Sequence, residues 1–194
     1  MSSLRVAIAV ATFQRPQSLL RLLESLRVPV LKISGTFVKV IVVDNDPALS
    51  ARVVCREFVG LNVQYLSEPS PGISAARNAS IAAAESFDFI VFVDDDEVVE
   101  PEWLQRLLDM QSATGADLVS GPVRSVLSPH APGYIKESGI FDRDPKEDGS
   151  RQLEAGTGNL LVKYSVFNSR PRTEWFLEEF GLTGGEDAEF TRRV

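Results

Sequence analysis

The run Asp94-Asp95-Asp96-Glu97 follows directly on an apolar, β-branched stretch ending at Val93. Two carboxylates one residue apart, leaving a buried strand, can aim at one divalent cation. Hard oxygen ligands suit Mg²⁺ or Mn²⁺. Such a cation bridges diphosphate oxygens and stabilises a phosphate leaving group. The competing assignment is capping of a helix that begins near Pro101, where negative charge is favoured. Four consecutive acids repel one another, however, and one or two would suffice as caps. Neither acid cluster has the Gly and Glu positions of an EF-hand loop.

Three further groups have chemical potential. Asp44-Asn45-Asp46 ends another apolar run; such residues form turns and caps, but these stand at a strand end beside a prospective crevice. Gly184-Gly185-Glu186-Asp187 precedes a short helical pattern. A carboxylate there is either an N-terminal cap or a general base that takes a proton from a hydroxyl. The glycines let a ligand approach the backbone closely. Arg77, within PGISAARNAS, is either a solvated helix cation or a guanidinium aimed at a diphosphate. His130, the sole imidazole, sits in a Pro-rich loop and reads as solvated. Cys55 reads as a core thiol. Trp103 and Trp175 read as packing residues, with Trp175 near enough to the acid pair to face a ligand.

The elements that must position these groups alternate regularly. Strands are expected at Leu4–Ala11, Phe37–Val43, Asn62–Leu66, Phe87–Val93 and Asp117–Val123. Between them lie helices opening at Pro16, with Leu19, Leu20, Leu22, Leu23 and Leu26 as the apolar face, and then at Ser50–Val59, Ile73–Glu85 and Pro101–Thr114. Strand and helix in alternation predict an α/β fold, a mostly parallel sheet with helices on both faces. If the sheet reverses direction beside the first strand, the first and fourth strands become neighbours. Their carboxyl ends then share one crevice, where open α/β sheets bind ligands. Ser125–Gly156 is rich in Pro, Gly, Asp and Lys and reads as a long excursion. Asn159–Lys163 returns to strand character, and Gly184–Val194 ends on a helix start.

Composition narrows the function classes. The chain has 194 residues, 44% hydrophobic and 24% charged, which suits one globular domain. A formal net charge of −7 argues against nucleic acid as a partner. One cysteine and one histidine exclude an intrachain disulfide, a thiol-rich zinc site and paired-histidine chemistry. There is no transmembrane-length apolar run and no signal-peptide pattern, so a cytoplasmic location is expected. Asn78-Ala79-Ser80 is then a chance glycosylation pattern. A Walker A loop, GxGxxG after the first strand, HExxH and GxSxG are all missing.

Taken together and in order, the blocks resemble family-2 glycosyltransferases. The residues that carry the likeness are VAIAVATFQRP (Val6–Pro16), VIVVDND (Val40–Asp46), EPSPGISAARNAS (Glu68–Ser80), FIVFVDDDE (Phe89–Glu97), TGNLLV (Thr157–Val162) and GLTGGEDAEF (Gly181–Phe190). The resemblance implies the GT-A fold, a Rossmann-like sheet with a nucleotide-sugar site at the carboxyl edge of its strands. It also implies a nucleotide-diphosphate sugar donor, a UDP-sugar first among them, a Mn²⁺ or Mg²⁺ ion, and inversion at the anomeric carbon. Asp96 would be the main metal ligand of the D-x-D element. Asp94 or Asp95 would touch the ribose or the metal's water shell. Ala11, Thr12, Phe13 and Arg15 would line the nucleoside-diphosphate site, Asp44 and Asn45 would meet the base, and Arg77 the diphosphate. Thr157 and Gly158 would sit near the sugar or acceptor. Asp187 would be the catalytic base, with Glu186 beside it.

The same likeness implies one domain over residues 1–194, with a nucleotide-binding half at 1–123 and an acceptor-side half at 124–194. Family members usually continue with further helices, so a chain ending at Val194 reads either as truncated at its C-terminus or as a minimal domain. The acceptor would be a carbohydrate or a lipid-linked sugar in polysaccharide biosynthesis, with peripheral contact at the inner face of the membrane. Asn45 stands where the family often has a second acid. Two other readings share these residues: a nucleotide-sugar-binding module without turnover, and a nucleotidyltransferase. The latter usually shows a Gly-rich loop after the first strand, where this chain has Thr12-Phe13-Gln14-Arg15-Pro16.

Overall fold

The computed structural model describes residues 3–141 and 146–194. In chain order the elements are β1 (Leu4–Thr12), α1 (Pro16–Lys32), β2 (Thr36–Asp44), α2 (Arg52–Glu57), β3 (Val63–Ser67), α3 (Ile73–Ala83), β4 (Phe89–Val93), α4 (Trp103–Thr114) and β5 (Leu118–Ser120). Then follow α5 (Gly133–Ser138), β6 (Asn159–Lys163), α6 (Ser165–Asn168), two short 3₁₀ turns at Arg172–Glu174 and Glu178–Phe180, and α7 (Glu186–Arg193). The strands form one sheet in the order β3-β2-β1-β4-β6-β5. β1 pairs parallel with β2 and β4, and β2 with β3; β6 runs antiparallel between β4 and β5. The expected adjacency of the first and fourth strands is therefore present, and their ends meet.

Alternation along β1 decides which helix covers which face. Val6, Ile8 and Val10 point into a core formed with Leu19, Leu22, Leu23 and Leu26 of α1 and Leu104 and Leu107 of α4. Ala7 and Ala9 point the other way, toward Ala76 and Ile81 of α3 and Phe167, Phe176 and Phe190. Small residues on that face let α3 approach the sheet closely. Each buried Leu or Phe contributes about 1.5–3 kcal/mol of transfer free energy. Pro16 occupies the first turn of α1, where its missing N–H costs nothing.

Some boundaries differ from expectation. α4 begins at Trp103 and has no side-chain cap, so the acid run does not cap it. β5 is only Leu118–Ser120, because Gly121 and Pro122 follow. A methyl group at Gly121 would lie 2.3 Å from Asn159 Nδ2, so the strand end is packed against that amide. The excursion contains a helical turn, α5, that its composition did not suggest; its residues 142–145 lie outside the described residues. Among the described residues no helix is long and apolar enough to cross a membrane.

Candidate active site

The crevice lies where β1, β2 and β4 end and α7 begins. The register that sets Thr12 beside Asp44 levels the ends of β1 and β2. The chain leaving β4 keeps its two-residue alternation for three acids. Asp94 and Asp96 face solvent, with about half of each side chain exposed, while Asp95 turns inward and is 4% exposed. Thr12 Oγ1 donates to Asp95 Oδ2 at 2.7 Å. Arg15 Nη1 donates to Asp95 Oδ1 at 3.2 Å and to Asp96 Oδ2 at 2.9 Å. Thr12 thus acts through Asp95, and Ala11 and Phe13 flank it, Phe13 with its ring exposed.

Asp94 connects this turn to the other wall. Arg77 Nη2 stands 3.7 Å from Asp94 Oδ1, while Nη1 pairs with Glu186 at the start of α7. Arg77 is 7% exposed and lies over the Phe176 ring at 5.5 Å, so it is not a solvated helix cation. Partial burial raises the Asp94 carboxyl above its ordinary value. The Arg77 charge opposes this, and the charges of Asp96, Asp95 and Asp187 add to it. Burial likewise raises Asp95, against the Thr12 hydroxyl and Arg15.

Gly156-Thr157-Gly158 separates the two groups of acids. A methyl at Gly156 would lie 3.4 Å from Asp187 Oδ2, and one at Gly158 would lie 3.2 Å from Asp94 Oδ2 and 2.6 Å from Glu97 Oε1. Two residues of chain span at most about 7 Å, so Asp187 and Asp94 stand at the two ends of one short segment, near enough for the Asp187 charge to act on Asp94. Thr157 Oγ1 is buried there with no hydrogen-bond partner. Asp187 is half-buried, and its Oδ1 accepts from the Ala188 amide at 2.7 Å. α7 has no side-chain cap at Gly185, so Glu186 and Asp187 are not N-cap residues.

Asp44 and Asn45 are drawn into the fold. Asp44 is fully buried; its oxygens accept from the Asp46 and Ala51 amides and the Tyr65 hydroxyl at 2.9–3.1 Å. The turn-forming alternative therefore describes its side chain. Asn45 Nδ2 donates to the Glu68 and Ser70 carbonyls at 2.8 and 2.7 Å, and its Oδ1 accepts from the Gly72 amide at 2.9 Å. It braces the loop that leads into α3 and Arg77. Trp175 is buried, with its Nε1 donating to the Phe167 carbonyl at 3.1 Å, and packs rather than facing the crevice. His130 is exposed and Cys55 is buried, as expected.

The sequence reading missed Asn78, and it gave Glu97, which stands beside Gly158, no role beyond membership of the acid run. The Asn78 side chain makes reciprocal bonds at 2.8 and 3.0 Å with the backbone of Phe176, which supports Arg77. Adjacency to Arg77 was the only available signal for Asn78.

The donor set fits a hard divalent cation. Among the described residues no three His, Cys, Asp or Glu side chains converge as a complete metal cage. Asp94 and Asp96 offer two exposed carboxylates in one turn. One or two carboxylates plus substrate phosphates is the usual holding of such an ion.

Comparison with known proteins gives the family and the fold. The family described as "Glycosyl transferase family 2" matches residues 7–169. The succinoglycan biosynthesis protein ExoM of Rhizobium meliloti is 34% identical over 194 residues, covering 97% of this chain and 60% of that protein. The chain thus spans about three-fifths of that relative. Crystalline Staphylococcus aureus TarS 1–349 in complex with UDP superimposes with a TM-score of 0.70 at 20% identity, covering 97% of this chain and 54% of that one. The mannosyltransferase PcManGT of Pyrobaculum calidifontis, in complex with GDP-Man and Mn²⁺, gives 0.67 at 15%, covering 96% and 50%. These two likenesses show the fold: the α/β sheet is that of the GT-A glycosyltransferases.

Proposed function

The chain belongs to glycosyl transferase family 2, and from that premise we propose that it moves a sugar, with inversion, from a nucleotide-diphosphate donor to an acceptor hydroxyl. The observation that carries the reading is the juxtaposition of Asp187 and Asp94 across Gly156-Thr157-Gly158. A single displacement needs a base on the acceptor side and charge stabilisation on the leaving-group side. Asp187 takes the proton from the acceptor oxygen as that oxygen bonds to the anomeric carbon. The bond from that carbon to the diphosphate oxygen breaks, and the nucleoside diphosphate leaves.

Asp96 and Asp94 would hold Mn²⁺ or Mg²⁺, which when bound stabilises the negative charge on the departing diphosphate. Arg77 brings a positive charge to the same side, and Glu186 keeps the head of α7 against it. The Thr157 hydroxyl, buried without a partner, would supply a hydrogen bond to the sugar or acceptor. Ala11, Thr12, Phe13 and Arg15 form the wall nearest the nucleoside. Asp44 and Asn45 shape the base end by holding the turn and the loop, not by exposed side chains.

UDP is the favoured nucleotide, since the TarS complex holds UDP; GDP is the main competitor, since PcManGT holds GDP-Man. A carbohydrate or lipid-linked acceptor fits the succinoglycan biosynthesis named for ExoM, as does a cytoplasmic site at the inner membrane face. Residues 1–123 then serve the nucleotide and 124–194 the acceptor side of one domain.

The deciding experiment titrates UDP, GDP, dTDP and CDP calorimetrically, each with and without Mn²⁺, on the parent and on Asp187→Asn. The expected result is metal-dependent binding of one nucleotide in both proteins, with sugar transfer in the parent alone. Full turnover by Asp187→Asn would remove the base assignment. Binding without turnover in the parent would favour a nucleotide-sugar-binding module.

A further inference from the structure

We propose that Arg15 is a built-in counter-cation of the acid turn, which a divalent cation must displace from Asp96 before the donor site forms. The inference rests on the assignment of the metal to Asp96.

One nitrogen, Nη1, bridges both carboxylates, at 3.2 Å from Asp95 Oδ1 and 2.9 Å from Asp96 Oδ2. The two ends of this bridge are unlike. The Asp95 side chain is 6% exposed and is held from its other oxygen by Thr12. The Asp96 side chain is 54% exposed and Arg15 itself 56%. An ion pair between solvated groups is weak and easily exchanged. The Asp96 contact is therefore the one that yields, while the Asp95 contact stays.

The backbone confines the exchange to the side chain. Gln14 holds the left-handed conformation at φ 57°, Pro16 follows Arg15, and the Arg15 carbonyl accepts the Leu19 amide at 3.0 Å. The main chain is thus the fixed first turn of α1. A guanidinium has five N–H groups, and both of these contacts fall on Nη1. When a cation takes Asp96, Arg15 keeps Asp95 and turns its remaining N–H groups to an anion at the same place, such as a diphosphate oxygen. One residue then balances the acids in the absence of donor and grips the donor afterwards.

The test compares the parent, Arg15→Ala and Arg21→Ala. Arg21 lies on the exposed face of α1, hydrogen-bonded to Ser18, so its removal changes net charge equally without touching the acids. Mn²⁺ alone is titrated by water-proton relaxation, with thermal unfolding recorded in chelator. Arg15→Ala is expected to tighten Mn²⁺ roughly fivefold and to unfold at a lower temperature in chelator. Arg21→Ala is expected to stay near the parent. Mn²⁺ affinity in Arg15→Ala equal to or below the parent's would overturn the proposal and leave the metal site standing. An equal gain in Arg21→Ala would overturn it in favour of bulk charge. Absence of Mn²⁺ binding in all three would overturn the proposal, and the metal assignment would then stand or fall on Mn²⁺-dependent nucleotide binding by the parent.

Discussion

Arg77 and Glu186, 109 positions apart in the chain, form one buried ion pair that fastens the head of α7 to α3. Their side chains are 8% and 7% exposed, so neither charge has water to fall back on. Removing one partner strands the other. Arg77→Met is expected to lose about 3–5 kcal/mol of stability. The double variant Arg77→Met with Glu186→Leu should recover much of that loss, because both charges go at once. Urea unfolding of the four proteins of the cycle measures the coupling directly. A double variant as unstable as the single one would mean that packing against Phe176, and not the charge pair, holds α7.

Gly158→Ala probes the crevice without disturbing the fold. The added methyl would lie 2.6 Å from Glu97 Oε1 and 3.2 Å from Asp94 Oδ2. The atoms it meets are ends of flexible side chains, so the stability change should stay within about 1 kcal/mol. Metal-dependent nucleotide affinity should fall by roughly tenfold, since a displaced ligand loses its geometry. Calorimetry with and without Mn²⁺ separates the two effects.

Asn45→Asp is a small change with a large expected consequence. The Asn45 amide donates to two carbonyls, Glu68 and Ser70. A carboxylate there has no hydrogen to donate and faces both oxygens. A loss of about 1–3 kcal/mol is expected, together with faster amide exchange across residues 68–72. Unchanged stability would mean that the loop is held by Gly181, whose carbonyl accepts the Ile73 amide at 3.0 Å.

Cys55 should be inert. Burial, with a smaller contribution from the Asp44 charge, pushes its thiol up to about 12. The thiolate is the reactive form, so a disulfide-exchange reagent should label no thiol in the native protein near pH 8 and one per chain in denaturant.

The sequence reading and the structure part company at identifiable places. The strand–helix alternation and the meeting of β1 with β4 were legible, because β-branched runs and Leu spacing report burial directly. The insertion of β6 antiparallel between β4 and β5 was not, since alternation along a strand is the same in either direction. The acid run marked the crevice. Which of three identical aspartates turns inward depended on the pleat at the end of β4, and only Asp95 found Thr12. Arg77 looked solvated or ligand-facing from its own neighbours, because the residue that buries it comes from α7. Asp44 and Asn45 sat where a nucleoside contact was expected, and apart from the Tyr65 hydroxyl their partners, among them the Ala51 amide and the Glu68 and Ser70 carbonyls, are backbone groups that a sequence does not display.

The return of the chain along β6 has an evolutionary consequence. Gly121 donates to the Asn159 carbonyl at 2.9 Å, and the Asn159 side chain ties the Pro122 carbonyl to the Trp103 indole. The described residues between, short of Gly156-Thr157-Gly158 at the crevice, therefore form a loop closed at its neck, outside the hydrogen-bond ladder of the sheet. Doubling the length of such a loop costs only about 0.6 kcal/mol. Sequence in that outer part can drift or lengthen while the crevice stays intact. Novelty in what the fold accepts can accumulate in that one interchangeable stretch.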